Sequence, residues 1–185
     1  MVLFGIQGSG KGTQAKRLAA EFGYEIFEAG GELRKIKASG SELGKTVASY
    51  IDVGKLVPHK IIMKVCEEAI RAKGKGTKIL FDGIPRDSNQ QQDFDRIMQD
   101  LGRDFRCIEI ALDPEEAVKR ILGRAKIEGR KDDADEATIR KRMDLFTEKT
   151  SPVIDAYKKR EKLTEVEGKG SVEEIFERLK DALAE

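Results

Sequence analysis

Charge of one sign is what this sequence lacks most plainly: 35 Lys and Arg stand against 34 Asp and Glu, leaving +1 over 185 residues. A chain so balanced has no global field with which to gather nucleic acid or anionic lipid, so any anion site on it must be local. Aromatics are few, at 6% with no Trp, and with the balanced charge this argues against a nucleic-acid-binding module. The two cysteines, Cys66 and Cys107, lie far apart in apolar surroundings. That excludes a disulfide scaffold and a Cys-rich zinc site, and both read as buried thiols. No apolar stretch approaches the roughly 20 residues that cross a bilayer. Met1 leads straight into an apolar run over 2–6, without the basic start and small-residue cleavage site of a secretory signal. The expected setting is cytoplasmic, with no membrane partner. Repeats and low-complexity segments are absent too.

What is there is an alternation. The length suits one domain with one sizeable core. Short apolar runs at 2–6, 25–27, 78–81, 107–112 and 163–166 are separated by longer segments of helical period. Ile61, Val65, Cys66 and Ala69 recur at that spacing, as do Ala117, Ile121 and Leu122, and Val172, Ile175, Phe176, Leu179 and Leu183. These stripes are core faces rather than chemistry. The pattern predicts a three-layer α/β fold, with a five-stranded parallel sheet covered by helices on both faces. Two stretches depart from it. Between 28 and 58, two short helical patterns are broken by Ser39-Gly40-Ser41 and by Gly54, and 125–135 is polar and contains glycine. Long polar connections on a rigid scaffold are where function concentrates, so both read as segments laid over a site.

The residues Gly5-Ile6-Gln7-Gly8-Ser9-Gly10-Lys11-Gly12-Thr13 follow the first strand and open a helix, the context a P-loop requires. Glycines let the backbone turn tightly and aim N–H groups inward, and the new helix adds its positive end. Lys11 then reaches the outer phosphates. The general pattern has Ser or Thr directly after the Lys, whereas here Gly12 intervenes and the hydroxyl arrives at Thr13.

Phosphoryl transfer asks mostly for alignment of donor and acceptor and for positive charge around the moving group. Arginines stand at the edges of the two unusual segments: Arg34, Arg86 after Asp82-Gly83-Ile84-Pro85, Arg120, Arg124, Arg130 and Arg142. A single Arg on a helix is ordinarily solvated surface. Their placement beside a P-loop is what gives them a part, since guanidinium forks match phosphate oxygens in pairs.

With these markers the chain resembles the adenylate kinase family of nucleoside monophosphate kinases. The likeness runs essentially from Val2 to Leu183 and rests on GSGKGTQ from Gly8, GELR from Gly31, GKLVP from Gly54, DGIPR from Asp82, GR at Gly123, GRKDD from Gly129 and RKRM from Arg140. The resemblance implies a monomeric enzyme with a helical monophosphate-binding insertion at about 28–57 and a short lid at about 125–135, hinged at Gly123 and Gly129. The lid lacks the cysteine-bearing form that binds zinc, so no structural zinc is expected. Gly8, Ser9, Gly10, Lys11, Gly12 and Thr13 would hold the ATP phosphates, with Arg120 against the adenine and Gly170 helping to close that pocket. Arg34 and Arg86 would grip the acceptor phosphate, while Ala29, Lys55, Leu56, Val57, Gly83, Ile84, Pro85 and Gln90 would frame the acceptor. Lys11, Arg124, Arg130 and Arg142 would cage the moving phosphoryl group. Asp82 would hold Mg2+ through its waters, and Asp132 and Asp133 would position arginines.

The chain departs from the family pattern at Ala29-Gly30-Gly31-Glu32, where Thr-Gly-Asp or Ser-Gly-Asp is usual. Alanine at 29 resembles the pyrimidine-directed UMP/CMP kinases. Loss of the Asp removes a carboxylate from near the phosphates, for which Glu32 is the nearest substitute. Gln90, four residues after Arg86, resembles the adenine-directed members, and its amide offers both a donor and an acceptor to a base edge. Adenylate kinase is therefore the first reading. A UMP/CMP kinase, or a silent nucleotide-binding P-loop module, is the alternative. His59, the only histidine, has no part in a transfer that needs no imidazole base. Tyr24, Tyr50 and Tyr157 read as partly buried packing residues. Pro152 falls in a helix expected from about Glu136, with a kink there.

Overall fold

The computed structural model describes residues 1–52, 57–128 and 135–184, with the backbone alone described for 124–128. Five strands, β1 Val2–Phe4, β2 Glu25–Glu28, β3 Ile79–Asp82, β4 Cys107–Ala111 and β5 Leu163–Glu167, form a parallel sheet in the order β2-β3-β1-β4-β5. The central strands β1, β3 and β4 are mostly buried, which is why they read as near-continuous apolar runs, whereas the edge strands β2 and β5 each bury a single residue, Phe27 and Val166. Along β1, Val2 and Phe4 face one layer and Leu3 the other. The first run was expected to stay extended to Ile6; the strand instead ends at Phe4, because the chain turns at Gly5 into the phosphate cradle.

One layer packs α4 His59–Arg71, α5 Ser88–Asp100 and α8 Ser151–Lys159 against Phe4, Phe27 and Phe81. The rings of Phe81, Phe94, Phe105 and Tyr157 continue edge to face, 4.9 to 5.6 Å apart, the arrangement that the ring quadrupoles favour. Tyr157 is fully buried rather than partly so, because its Oη donates to Asp95 at 2.8 Å. The opposite layer packs α1 Lys11–Phe22 and α9 Val172–Ala184 against Leu3, Leu80, Ile108 and Ile110. Val172, assigned to the α9 core stripe from its spacing, is 49% exposed. It opens the helix, and its carbonyl accepts from Gln14 Nε2 at 2.8 Å. A third cluster joins α6 Pro114–Glu128 to α7 Glu136–Leu145 through Val118, Ile121, Ile139 and Met143.

Between β2 and α4 the chain forms α2 Ala29–Ala38 and α3 Glu42–Ile51. The Ser39-Gly40-Ser41 break works as read, with Ser41 capping α3 by accepting from Gly44 N at 3.0 Å. Gly44 is where the two helices touch: a Cβ there would lie 2.3 Å from Ile36 O. From α7 the chain passes through a π-helical turn, Phe146–Thr150, before α8. Ser151 N–H donates back to Phe146 O, five residues away. Pro152, in the first turn of α8, has no N–H to donate, and the break ahead of it is taken up as a wider turn.

Both thiols are buried, and burial pushes Cys66 and Cys107 up to about 12. No helix among the described residues is long and apolar enough to cross a membrane.

Candidate active site

The C-terminal ends of β1 and β3 face one cleft of about 540 Å³. From β1 the chain loops through Gly8 to Gly10, which caps α1. Gly8 has φ of +89°, and a Cβ there would meet Ala117 O at 2.9 Å and Ile121 Cγ1 at 3.0 Å, so only glycine fits. Ser9 is fully buried, and its Oγ finds no hydrogen-bond partner among the described residues. The first turn of α1 has neither a side-chain cap nor an acidic residue. Its N–H groups and positive end are therefore open to an anion. Lys11 Nζ crosses to donate to Asp82 Oδ1 at the end of β3.

The loop after β3 is held rigidly. Arg86 Nε donates to Gly83 O at 2.6 Å, Arg86 N to Gln90 Oε1 at 2.9 Å, and Gln90 N to Asp87 Oδ1 at 2.9 Å. Thr150 Oγ1 donates to Arg86 O at 2.9 Å, joining this loop to the π-helical turn. The cleft is thus lined by Gly5, Gln7 and Lys11, by Gly83, Pro85 and Arg86, and by Arg142, Leu145, Phe146, Lys149 and Thr150. Ile84 is buried just behind it.

Other expected residues stand away from this wall. Ala29 and Arg34 lie on α2, with exposed Arg34 Nη2 at 3.9 Å from Glu28 Oε1. Glu32 accepts from Lys35 at 2.6 Å and adds a weak negative influence on Cys66 of α4. Arg120 donates to Glu116 Oε1 at 3.1 Å and to Gly168 O at 3.0 Å, which brings it to the loop that contains Gly170. His59 Nε2 meets Asp93 Oδ2 at 2.8 Å, tying α4 to α5. Val57 precedes α4, and Gly12 and Thr13 lie in the first turn of α1. Lys55, Leu56, Gly129, Arg130, Asp132, Asp133 and the side chain of Arg124 lie outside the described residues. Phe146, Lys149 and Thr150 were not singled out from the sequence. A signal existed, since 142, 145, 146, 149 and 150 follow the spacing of one helix face.

A wall of Lys11, Arg86, Arg142 and Lys149 around an open helix N-terminus suits the negative oxygens of phosphate. The fold and the cleft define a P-loop phosphotransferase of the α/β class. A family model described as adenylate kinase matches residues 3–162. Curated proteins named adenylate kinase align along the chain: 37% identical in Thermus thermophilus, covering 99% of this chain and 96% of the relative. The Maricaulis maris protein is 41% identical, covering 100% and 98%, and that of Xanthomonas campestris pv. campestris 38%, covering 99% and 98%. The chain belongs to the adenylate kinase family, and is a nucleoside monophosphate kinase.

Proposed function

We propose that this enzyme transfers the terminal phosphoryl group of MgATP to AMP, giving two ADP, reversibly. The observation that carries the reading is Lys11 standing at the mouth of the glycine cradle, across one cleft from Arg86 and Arg142. Donor phosphates on the cradle and an acceptor phosphate on Arg86 would meet there, and cations around the moving group are what such a transfer needs. Gly8, Ser9, Gly10, Lys11, Gly12 and Thr13 bind the ATP phosphates, with Arg120 and Gly170 at the adenine. Arg34 and Arg86 grip the AMP phosphate. Ala29, Lys55, Leu56, Val57, Gly83, Ile84, Pro85 and Gln90 frame its nucleoside. Arg124, Arg130 and Arg142 complete the cage with Lys11. The insertion at about 28–57 carries the acceptor pocket, and the lid at about 125–135 excludes water, which would otherwise take the phosphate. The protein works as a cytoplasmic monomer.

The donor set near the cradle fits Mg2+ arriving with the nucleotide. Asp82 offers one carboxylate, 18% exposed and beside an ammonium, and Mg2+ in such sites keeps several waters and takes one or two carboxylates plus phosphate oxygens. Bound there, the metal would supply neutralisation of charge on the phosphates, and Asp82 is the residue that would hold it.

For the acceptor base, Gln90 supports adenine. The backbone N–H of Arg86 occupies Gln90 Oε1, leaving the Nε2 amide as the donor to offer to a base. Adenine N1 accepts such a donor, whereas the ring N–H of uracil or guanine would oppose it. Ala29 favours the pyrimidine reading by lacking a hydroxyl. Initial rates with MgATP and, separately, AMP, UMP, CMP and GMP, followed by separation of the nucleotides, test the proposal. AMP is expected to be preferred; a preference for UMP or CMP overturns the acceptor, and no transfer to any overturns the reaction.

A further inference from the structure

Lys149 has no part in the P-loop motif or the arginine cage, yet it lines the same cleft as Lys11, Arg86 and Arg142. It rides on the π-helical turn Phe146–Thr150, a winding that recurs at functional sites. The next residue, Thr150, is buried and hydrogen-bonded to the carbonyl of Arg86, so the turn is pinned to the loop on the acceptor side.

The ordinary role of a surface lysine, tying one element to another, does not account for it. Lys158 shows that role by bridging α8 to β5 through Glu165 at 2.9 Å. Lys149 instead pairs with its own chain neighbour Glu148 at 2.7 Å, a carboxylate 66% exposed, and that pair joins no two elements. Asp87, beside Arg86, adds a weaker attraction. Since this ion-pair partner is adjacent and solvated, the ammonium can exchange it for a phosphate at little cost.

We propose that Lys149 is a further phosphate-binding residue, meeting the phosphate of the acceptor nucleotide together with Arg86. The inference rests on the assignment of Arg86 to the acceptor. It predicts that Lys149 recognises the charge of the acceptor and not its base or sugar.

Equilibrium titration of the whole protein with AMP, with adenosine and with ATP, for wild type, Lys149→Met and Lys149→Arg, tests it. Lys149→Met is expected to raise the AMP dissociation constant about fivefold to tenfold, the scale of one charged contact to phosphate. Adenosine and ATP should bind as before, and Lys149→Arg should recover most of the loss. Lys158→Met, outside the cleft, serves as the control for a lost surface charge. AMP binding unchanged in Lys149→Met, or weakened equally for AMP and adenosine, overturns the proposal. Weakening of ATP alone overturns the acceptor-side assignment. Wild-type protein that binds no monophosphate overturns the kinase reading first and this inference with it.

Discussion

Lys11 Nζ and Asp82 Oδ1 are hydrogen-bonded across the gap between the cradle and the end of β3, so the cation that serves the donor phosphates already has a carboxylate partner. Replacing Lys11 with Met removes the ammonium from the wall where charge develops, and phosphoryl transfer should fall by roughly 10²–10³. Unfolding by urea should barely change, since Lys11 is partly exposed. A rate within twofold of wild type would remove Lys11 from the chemistry. Asp82→Asn should raise the Mg2+ concentration needed for half-maximal rate, read in a Mg2+ titration at fixed ATP.

Gly44 abuts the backbone of Ile36, not a flexible side chain that could move aside. Gly44→Ala should therefore force α2 and α3 apart and destabilise the protein by about 1–3 kcal/mol, the usual scale of overpacking. Denaturant unfolding checks this. An unchanged midpoint would mean that the contact is looser than the geometry states.

Burial raises both thiols from an ordinary 9.0 to about 12. In the native protein, Cys66 and Cys107 should resist a thiol-specific reagent at pH 8 and react at once in denaturant. The sign of the pH effect follows from the direction of the shift. Above pH 9 the unfolded thiols lose protons that the folded ones keep, so stability is full below 9 and declines as pH rises towards 12. Tyr157, raised first by burial and then by its bond to Asp95, adds to the decline at the alkaline end. Urea midpoints between pH 7 and 11 measure it, and a flat profile would contradict the burial.

The Tyr157 hydroxyl is worth testing separately. Tyr157→Phe keeps the ring contacts and removes one hydrogen bond to Asp95, which still accepts from Arg160 at 2.6 Å. A loss of about 1 kcal/mol with unchanged turnover is expected. A large loss of turnover would give α8 a role in the chemistry.

The sheet was readable because its central parallel strands, buried on both sides, write themselves as apolar runs and its edge strands still carry Phe27 and Val166 into the core, and all five fell within about two residues of their observed bounds. The cradle was readable because glycine at a left-handed position beside Ala117 and Ile121 admits no substitute. The π-helical turn was not. Nothing local distinguishes Phe146–Thr150 from an α-helix, and the winding depends on Pro152 ahead and on the tie to Arg86 behind. Lys149 escaped for the same reason, since a lysine in a charged helix resembles solvated surface until the fold puts a cleft before it. Val172 misled in the other direction: periodicity marks a face, but the first residue of a helix need not reach the core.

The strand order has a consequence for synthesis. With β1 central and every connection a crossover, the cleft wall is gathered from residues 3–11, 83–86 and 142–150. A nascent chain emerging from the ribosome displays its glycine loop early and the opposing wall only when it is nearly complete. Contacts of such long sequence separation form late. Fragments ending before Arg142 therefore carry Lys11 and Arg86 without the third stretch of the wall, so the full set of cations around a nucleotide is assembled only in the last quarter of synthesis.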